Sequence, residues 1–243
     1  MYKLFFLVPF LFLYQTSFAQ FTDSTNYVVN YSSTGSLNNT NDGKSYLLNN
    51  GLKFGVRKKS VSLNFNNKWI YGKQNRQLTN NDFSSSLDFN LYKTLPHFFY
   101  WGLVNYNTSK SLKVNNQLLA GAGIAYSIYD REDAYLNISD GILFDSSDLT
   151  LDNEIRDVYH TYRNSLRLSF RFVISKIIIV NSSSYFQSSF SNGSDYIMKS
   201  DSSLAFKVNK WLSLTTAFNF NRVARTDRQN SLLSYGLSFE RYF

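Results

Sequence analysis

The chain has 243 residues, 43% of them hydrophobic and 18% aromatic, with 25 Lys and Arg against 17 Asp and Glu, a formal charge of +8, and no cysteine. That apolar content over that length excludes a disordered chain and fits one large domain or two small ones, while the missing cysteines exclude a disulfide framework, thiolate metal sites and a cysteine nucleophile. Charged residues make up 17%, well below the roughly one quarter of an average globular chain, and Ser and Asn rather than Lys and Glu balance the aromatics.

The N-terminus places Lys3 before an apolar run ending at Tyr14, with small residues Ser17 and Ala19 at the spacing a signal peptidase reads. Residues 1–19 are expected to be a cleaved signal peptide, leaving residues 20–243 as one domain. Beyond it the longest unbroken apolar run is Ile177 to Val180, far short of the roughly 20 residues a membrane helix needs. An exported chain of this kind stays in the periplasm, leaves the cell or crosses a membrane as strands.

Period two dominates the rest of the chain. Val61, Leu63, Phe65, Trp69 and Tyr71 alternate with Ser62, Asn64, Asn66 and Lys68, and Phe83, Leu87 and Phe89 with Ser84, Ser86 and Asp88. The pattern returns in Leu166, Leu168, Phe170 and Phe172, in Leu212 to Phe220, and in Leu233, Tyr235, Leu237 and Phe239. About twelve strands follow, over 25–36, 44–56, 60–72, 81–93, 98–107, 115–128, 133–146, 157–172, 177–189, 195–208, 211–223 and 229–243. Short connections such as Arg57 to Lys59 and Asn209-Lys210 alternate with longer polar ones, including Leu37 to Gly43, Lys73 to Asn80 and Ser147 to Arg156. Such alternation predicts an all-β fold: a single transmembrane antiparallel up-and-down β-barrel of about 12 strands, with the short turns and both termini periplasmic.

Alternation alone does not say which face meets lipid. The polar face carries Ser, Asn, Thr and Gly rather than the Lys and Glu of a water-washed surface, which favours an outward apolar face. Trp69 near a long-loop end, and Trp101 and Trp211 near short-turn ends, are expected to form aromatic girdles. The last strand, with Tyr235, Leu237 and Phe239 alternating up to terminal Phe243, resembles the C-terminal signal read by the assembly machinery of bacterial outer-membrane barrels.

Further motifs run in order along residues 27 to 145: Gly35 followed by Asn39-Thr40-Asn41, Trp69-Ile70-Tyr71-Gly72, Gly121-Ala122-Gly123-Ile124-Ala125-Tyr126, and Gly141-Ile142-Leu143-Phe144. Their order and spacing resemble the YdiY-like salt-induced outer-membrane proteins (domain of unknown function 481). In place of the basic residue expected before the glycine pair stand Asn116 and Gln117. The resemblance implies an outer-membrane barrel and supplies no reaction.

Period two also sorts the charges. Arg163, Arg167 and Arg171 recur every four residues and so share one face of their strand. With Lys53, Lys68, Lys207, Asp88 and Glu240 they are expected in the lumen, because a Lys or Arg facing lipid at the midplane costs roughly 2 to 4 kcal/mol. The two histidines, His97 and His160, are too few for a histidine metal site, and no serine stands two residues from His160 for esterase chemistry. Asp148, Asp152 and Glu154 are too dispersed for a calcium loop. No cofactor and no enzymatic activity are expected.

The reading is an exported outer-membrane barrel of a Gram-negative envelope, structural or stress-related, with a polar and mostly filled lumen. A small, weakly anion-preferring pore and a soluble periplasmic lipid-binding barrel are the alternatives. Expected partners are outer-membrane lipid and lipopolysaccharide, and the assembly machinery during biogenesis. Nucleic acid is not expected, since the basic residues form no single stripe with exposed aromatics.

Overall fold

The computed structural model describes residues 26–41, 43–131, 133–151 and 154–243. The proposed signal peptide lies outside them. Twelve strands appear in the order β1 Tyr27–Asn39, β2 Lys44–Lys58, β3 Val61–Gln74, β4 Gln77–Leu95, β5 Phe98–Ser109, β6 Val114–Arg131, β7 Ala134–Thr150, β8 Arg156–Ile174, β9 Ile178–Ser189, β10 Tyr196–Lys207, β11 Leu212–Val223 and β12 Arg228–Tyr242. Each pairs antiparallel with its neighbours in sequence, and β1 pairs with β12 from Val28↔Tyr242 to Gly35↔Tyr235, closing the barrel. Beside this seam the Asn26 amide donates to the Phe243 carbonyl at 2.8 Å, so the first described residue and the last lie together among the short turns.

The faces are inverted relative to a soluble barrel. Leu63, Phe65, Leu87, Phe89, Leu166, Leu168, Phe218 and Leu237 are exposed, whereas Thr34, Asn49, Ser62, Asn105, Gln117, Ser139, Ser165, Asn219 and Ser234 are buried. Each strand therefore offers every second side chain to an apolar solvent and keeps its hydrogen-bonding groups inside, where polar partners exist. A lipid-binding barrel in water would need its apolar face within, so this geometry overturns that alternative.

The connections differ from expectation at one end. Lys73 to Asn80 is a two-residue turn at Asn75 and Arg76, both with positive φ (49° and 68°), the geometry that joins strands of right-handed twist most directly. β7 and β8 likewise extend to Thr150 and from Arg156. Polar residues on both faces read as loop in sequence, yet they continue the strands.

Inside, one wall is apolar. Phe99, Trp101, Ala125 and Leu143 form a buried cluster with Tyr92 and Leu103 against it. Trp101 is only 7% exposed and its Nε1 donates to the Ile124 carbonyl at 3.2 Å. Its indole lies where Gly123 and Gly141 have no side chain: a Cβ on either would approach Trp101 Cζ2 to 2.7 or 2.5 Å. Trp101 is thus an internal filler seated on a glycine bed and not a girdle residue, which corrects the expectation from sequence. Trp69 and Trp211 are exposed, Trp69 tilted against Tyr71 at 5.7 Å and Trp211 stacked on Phe239 at 5.7 Å. On the outward face of β12, Tyr235, Leu237 and Phe239 are exposed, as is terminal Phe243.

Candidate functional site

The lumen holds a cavity of about 1150 Å3. Its lining reaches the rim residues Arg57, Arg131, Lys210, Arg241 and Tyr242 at the short-turn end, and includes none of the described residues of the connections at the other end, Asn75 and Arg76, 110–113, 190–195 and 224–227 among them. Ten Lys and Arg side chains line it against four Asp and Glu. A confined, low-dielectric wall of one predominant sign focuses potential into the cavity.

Three arginines of β8 stand at successive depths, about 13 Å apart at roughly 3.3 Å per residue. Nearest the short-turn end, Arg171 Nη2 donates to Glu240 Oε1 at 3.0 Å and Nη1 to Asn181 Oδ1 at 3.2 Å. At mid-depth Arg167 faces Asp88 of β4 at 4.0 Å and lies 5.9 Å from the Trp101 ring and 5.8 Å from that of Tyr185. A separate strut, Lys68 Nζ to Asp201 Oδ1 at 2.5 Å, joins β3 to β10 across the lumen. Asn219 also donates to Asp201, at 2.6 Å, and accepts from Asn49 at 2.8 Å.

Arg163 closes the far end. Its side chain is fully buried. Nε donates to Asp145 Oδ2 at 2.6 Å, Nη1 to the Asp195 carbonyl at 2.9 Å, and Nη2 to Asp195 Oδ1 at 2.9 Å and Tyr159 Oη at 3.0 Å. Arg225, in the 3-10 turn Ala224–Thr226 between β11 and β12, donates to the other Asp195 oxygen at 2.8 and 3.0 Å and to Asp157 Oδ2 at 2.9 Å. Its guanidinium lies 3.7 Å from the Tyr159 ring centroid. Burial works against its charge, but the hydrogen bonds it donates to Asp157 and Asp195 outweigh that and raise its pKa. Ser147, Gln117 and the Tyr159 hydroxyl also donate to Asp145, so with Arg163 this carboxylate accepts from four side chains. Paired and fully hydrogen-bonded, buried charges of this kind hold together the elements that carry them.

Above this knot sits an apolar cap. Leu112 from the β5–β6 connection and Val114 at the start of β6 meet Leu149 and Val223, with Tyr159 packed against them. Asn230 of β12 donates to Ser111 Oγ at 2.7 Å, and Ser111 donates to Asp82 at 2.7 Å. The knot and the cap thus stand at the end of the lumen away from the short turns, and the cavity lining reaches the rim among the short turns.

The side chains expected in the lumen divide by depth. Lys53, Lys68, Lys207, Asp88, Glu240, Arg167 and Arg171 line the cavity, whereas Arg163 lies beyond it, inside the knot. The sequence pattern does not reveal Asp145 and Asp195, the partners of Arg163, nor Arg225 and Asp157, which join them through Asp195, nor Lys199 and Asp201. Asp145 could have been found by parity, since it shares the inward register of Gly141 and Leu143; Asp195 and Arg225 come from connections, where parity says nothing. Asp148 pairs with Arg156 at 2.6 Å, and Asp152 lies outside the described residues. His160 stacks on Phe144 at 5.9 Å on the outward face. Among the described residues no group of three or more His, Asp or Glu converges on a possible metal position.

The fold is similar to that of the NanC porin, with a TM-score of 0.53 at 9% identity over 88% of this chain and 98% of that one. An outer membrane channel from Pseudomonas putida F1 scores 0.49 at 10% identity, covering 95% and 100% of the two chains. A KdgM porin in complex with disordered oligogalacturonate scores 0.47 at 13% identity, covering 87% and 98%. At such identities the likeness is one of fold. No curated protein matches the chain in sequence. The model of the DUF481 family, described as a protein of unknown function, matches residues 23–234, and with its closed antiparallel barrel and lipid-facing apolar belt the chain belongs to this family of outer-membrane β-barrel proteins.

Proposed function

We propose that the protein is a non-enzymatic structural element of the outer membrane, of the salt-induced envelope type, whose barrel stands closed. The short turns and both termini face the periplasm, and the apolar belt and aromatic rims contact lipid and lipopolysaccharide. The observation that carries this reading is the Arg163 knot, which ties β7, β8, the β9–β10 connection and the 3-10 turn together with fully buried charges. A channel mouth has little use for a buried ion cluster held in fixed geometry, whereas a barrel that must resist ionic stress gains from one, because burial shields it from added salt.

Purified protein in planar bilayers is expected to give no conductance steps, and its cellular level to rise after salt shock. Steps with anion preference would replace this reading by the small pore, which the cavity's basic lining favours. Loss of Phe243 is expected to lower the amount of assembled barrel, through the assembly machinery that reads the last strand.

A further inference from the structure

We infer that the cavity is a one-ended receptor for a small multivalent anion, entered from the side of the short turns and stopped beneath the Arg163 knot. This extends the closed-barrel reading and rests on it for the blind end. Three carboxylates of the cavity are already engaged: Asp88 with Arg167, Asp201 with Lys68 and Glu240 with Arg171. Lys53, Lys199 and Lys207 also line it, and none of them has an ion pair or hydrogen bond to another described residue. The register spreads them around the arginine pairs. Lys53 lies in one row with Asn30 and Glu240, Lys207 in the row of Ser213 and Ser238, and Lys199 in the row of Tyr185 and Arg167.

A second observation points the same way. The Nε atoms of Arg167 and Arg171 are buried and have no hydrogen-bond acceptor. Donors without a protein acceptor beside an open, basic cavity leave a place for an acceptor from outside the chain, and an anionic oxygen is the acceptor that the surrounding positive charge favours. One monovalent ion would answer a single cation, whereas several carboxylate or phosphate groups on one molecule would answer the lysines and the Nε donors together. The volume of about 1150 Å3 is slightly more than a typical small-ligand pocket.

The test is calorimetric titration of the full barrel in neutral detergent with inorganic tripolyphosphate and, separately, citrate. Saturable one-to-one binding of either is expected, weakening as sodium chloride is raised, and the tighter of the two identifies phosphate or carboxylate as the preferred group. A Lys53→Gln, Lys199→Gln, Lys207→Gln triple variant should bind at least about tenfold more weakly, equivalent to about 1.4 kcal/mol, while keeping the heat-induced mobility shift of a folded barrel. A Lys110→Gln variant, at the opposite mouth, should bind as the parent does. Absence of saturable binding, or binding equally strong in the triple variant, overturns the inference. Conductance is read separately: a conducting barrel that still binds would remove the closed reading and leave the anion site standing.

Discussion

Arg163 Nη2 and Asp195 Oδ1 meet at 2.9 Å although 32 residues separate them in sequence, and both side chains are buried. Asp195 sits in a connection and Arg163 in mid-strand, so their contact folds a loop down into the barrel. Arg225 binds the other oxygen of the same carboxylate, so a single aspartate gathers two guanidinium groups from elements on either side of it.

Arg163→Met is therefore expected to be among the most destabilising substitutions in the lumen. It leaves Asp145 and Asp195 buried with part of their acceptor capacity unanswered, at a cost of about 3 to 5 kcal/mol. The temperature at which the folded band disappears in detergent should fall clearly. Arg156→Gln breaks a pair whose arginine is largely solvent-exposed and should leave that temperature almost unchanged. Equal effects in the two variants would remove the distinction between knot and surface pair.

Most of the fold was legible in period two, because a strand passing through lipid must send alternate side chains to opposite solvents. Ends and partners were not. Near Lys73 to Asn80 both faces carry polar residues, so the contrast that marks a strand disappears while the strand continues to a two-residue turn. The inward place of Trp101 is hidden for a related reason: β5 has aromatics on both faces, Phe98 and Tyr100 outward against Phe99 and Trp101 inward, so residue type points to a girdle where parity points to the lumen. Parity sent Lys68 inward, but its partner Asp201 stands on a strand reached only by crossing the lumen, and local spacing carries no record of that.

Glycines on the adjacent strands β5 and β6 give a contrast. A Cβ at Gly123 would stand 2.2 Å from the Asp140 carbonyl oxygen, whereas at Gly102 the nearest such atom is the Gly121 carbonyl oxygen at 3.8 Å. Gly123→Ala should destabilise the barrel by about 1 to 3 kcal/mol or block assembly, as overpacking against backbone does. Gly102→Ala should leave the yield of folded barrel unchanged. The yield after refolding into detergent reads both, and a tolerated Gly123→Ala would mean that the β6–β7 wall can separate.

The lipid-facing assignment predicts a depth-dependent penalty. Leu166 is outward and near the middle of β8, so Leu166→Arg should cost roughly 2 to 4 kcal/mol in a bilayer. Tyr235, near the centre of β12, should respond similarly to Tyr235→Lys. Urea unfolding in lipid vesicles measures this, and a neutral result for Leu166→Arg would place water rather than lipid against that face.

The three tryptophans offer a direct optical check of inside and outside. Trp69 and Trp211 are 44% and 50% exposed, while Trp101 is 7% exposed and covered within the barrel by Phe99, Ala125 and Leu143. Variants retaining one tryptophan each, with Phe at the other two positions, can be reconstituted in vesicles containing brominated lipid. Bromine quenches only rings that reach the acyl or interfacial region, so Trp69 and Trp211 should lose much of their emission and Trp101 should keep it. The Trp101 emission should also report on the lumen, because the Arg167 guanidinium lies 5.9 Å from its ring: Arg167→Gln should alter its wavelength, and an anion filling the cavity should shift it in the parent. Strong quenching of Trp101 by brominated lipid would return that residue to the girdle and with it reverse the inward register of β5.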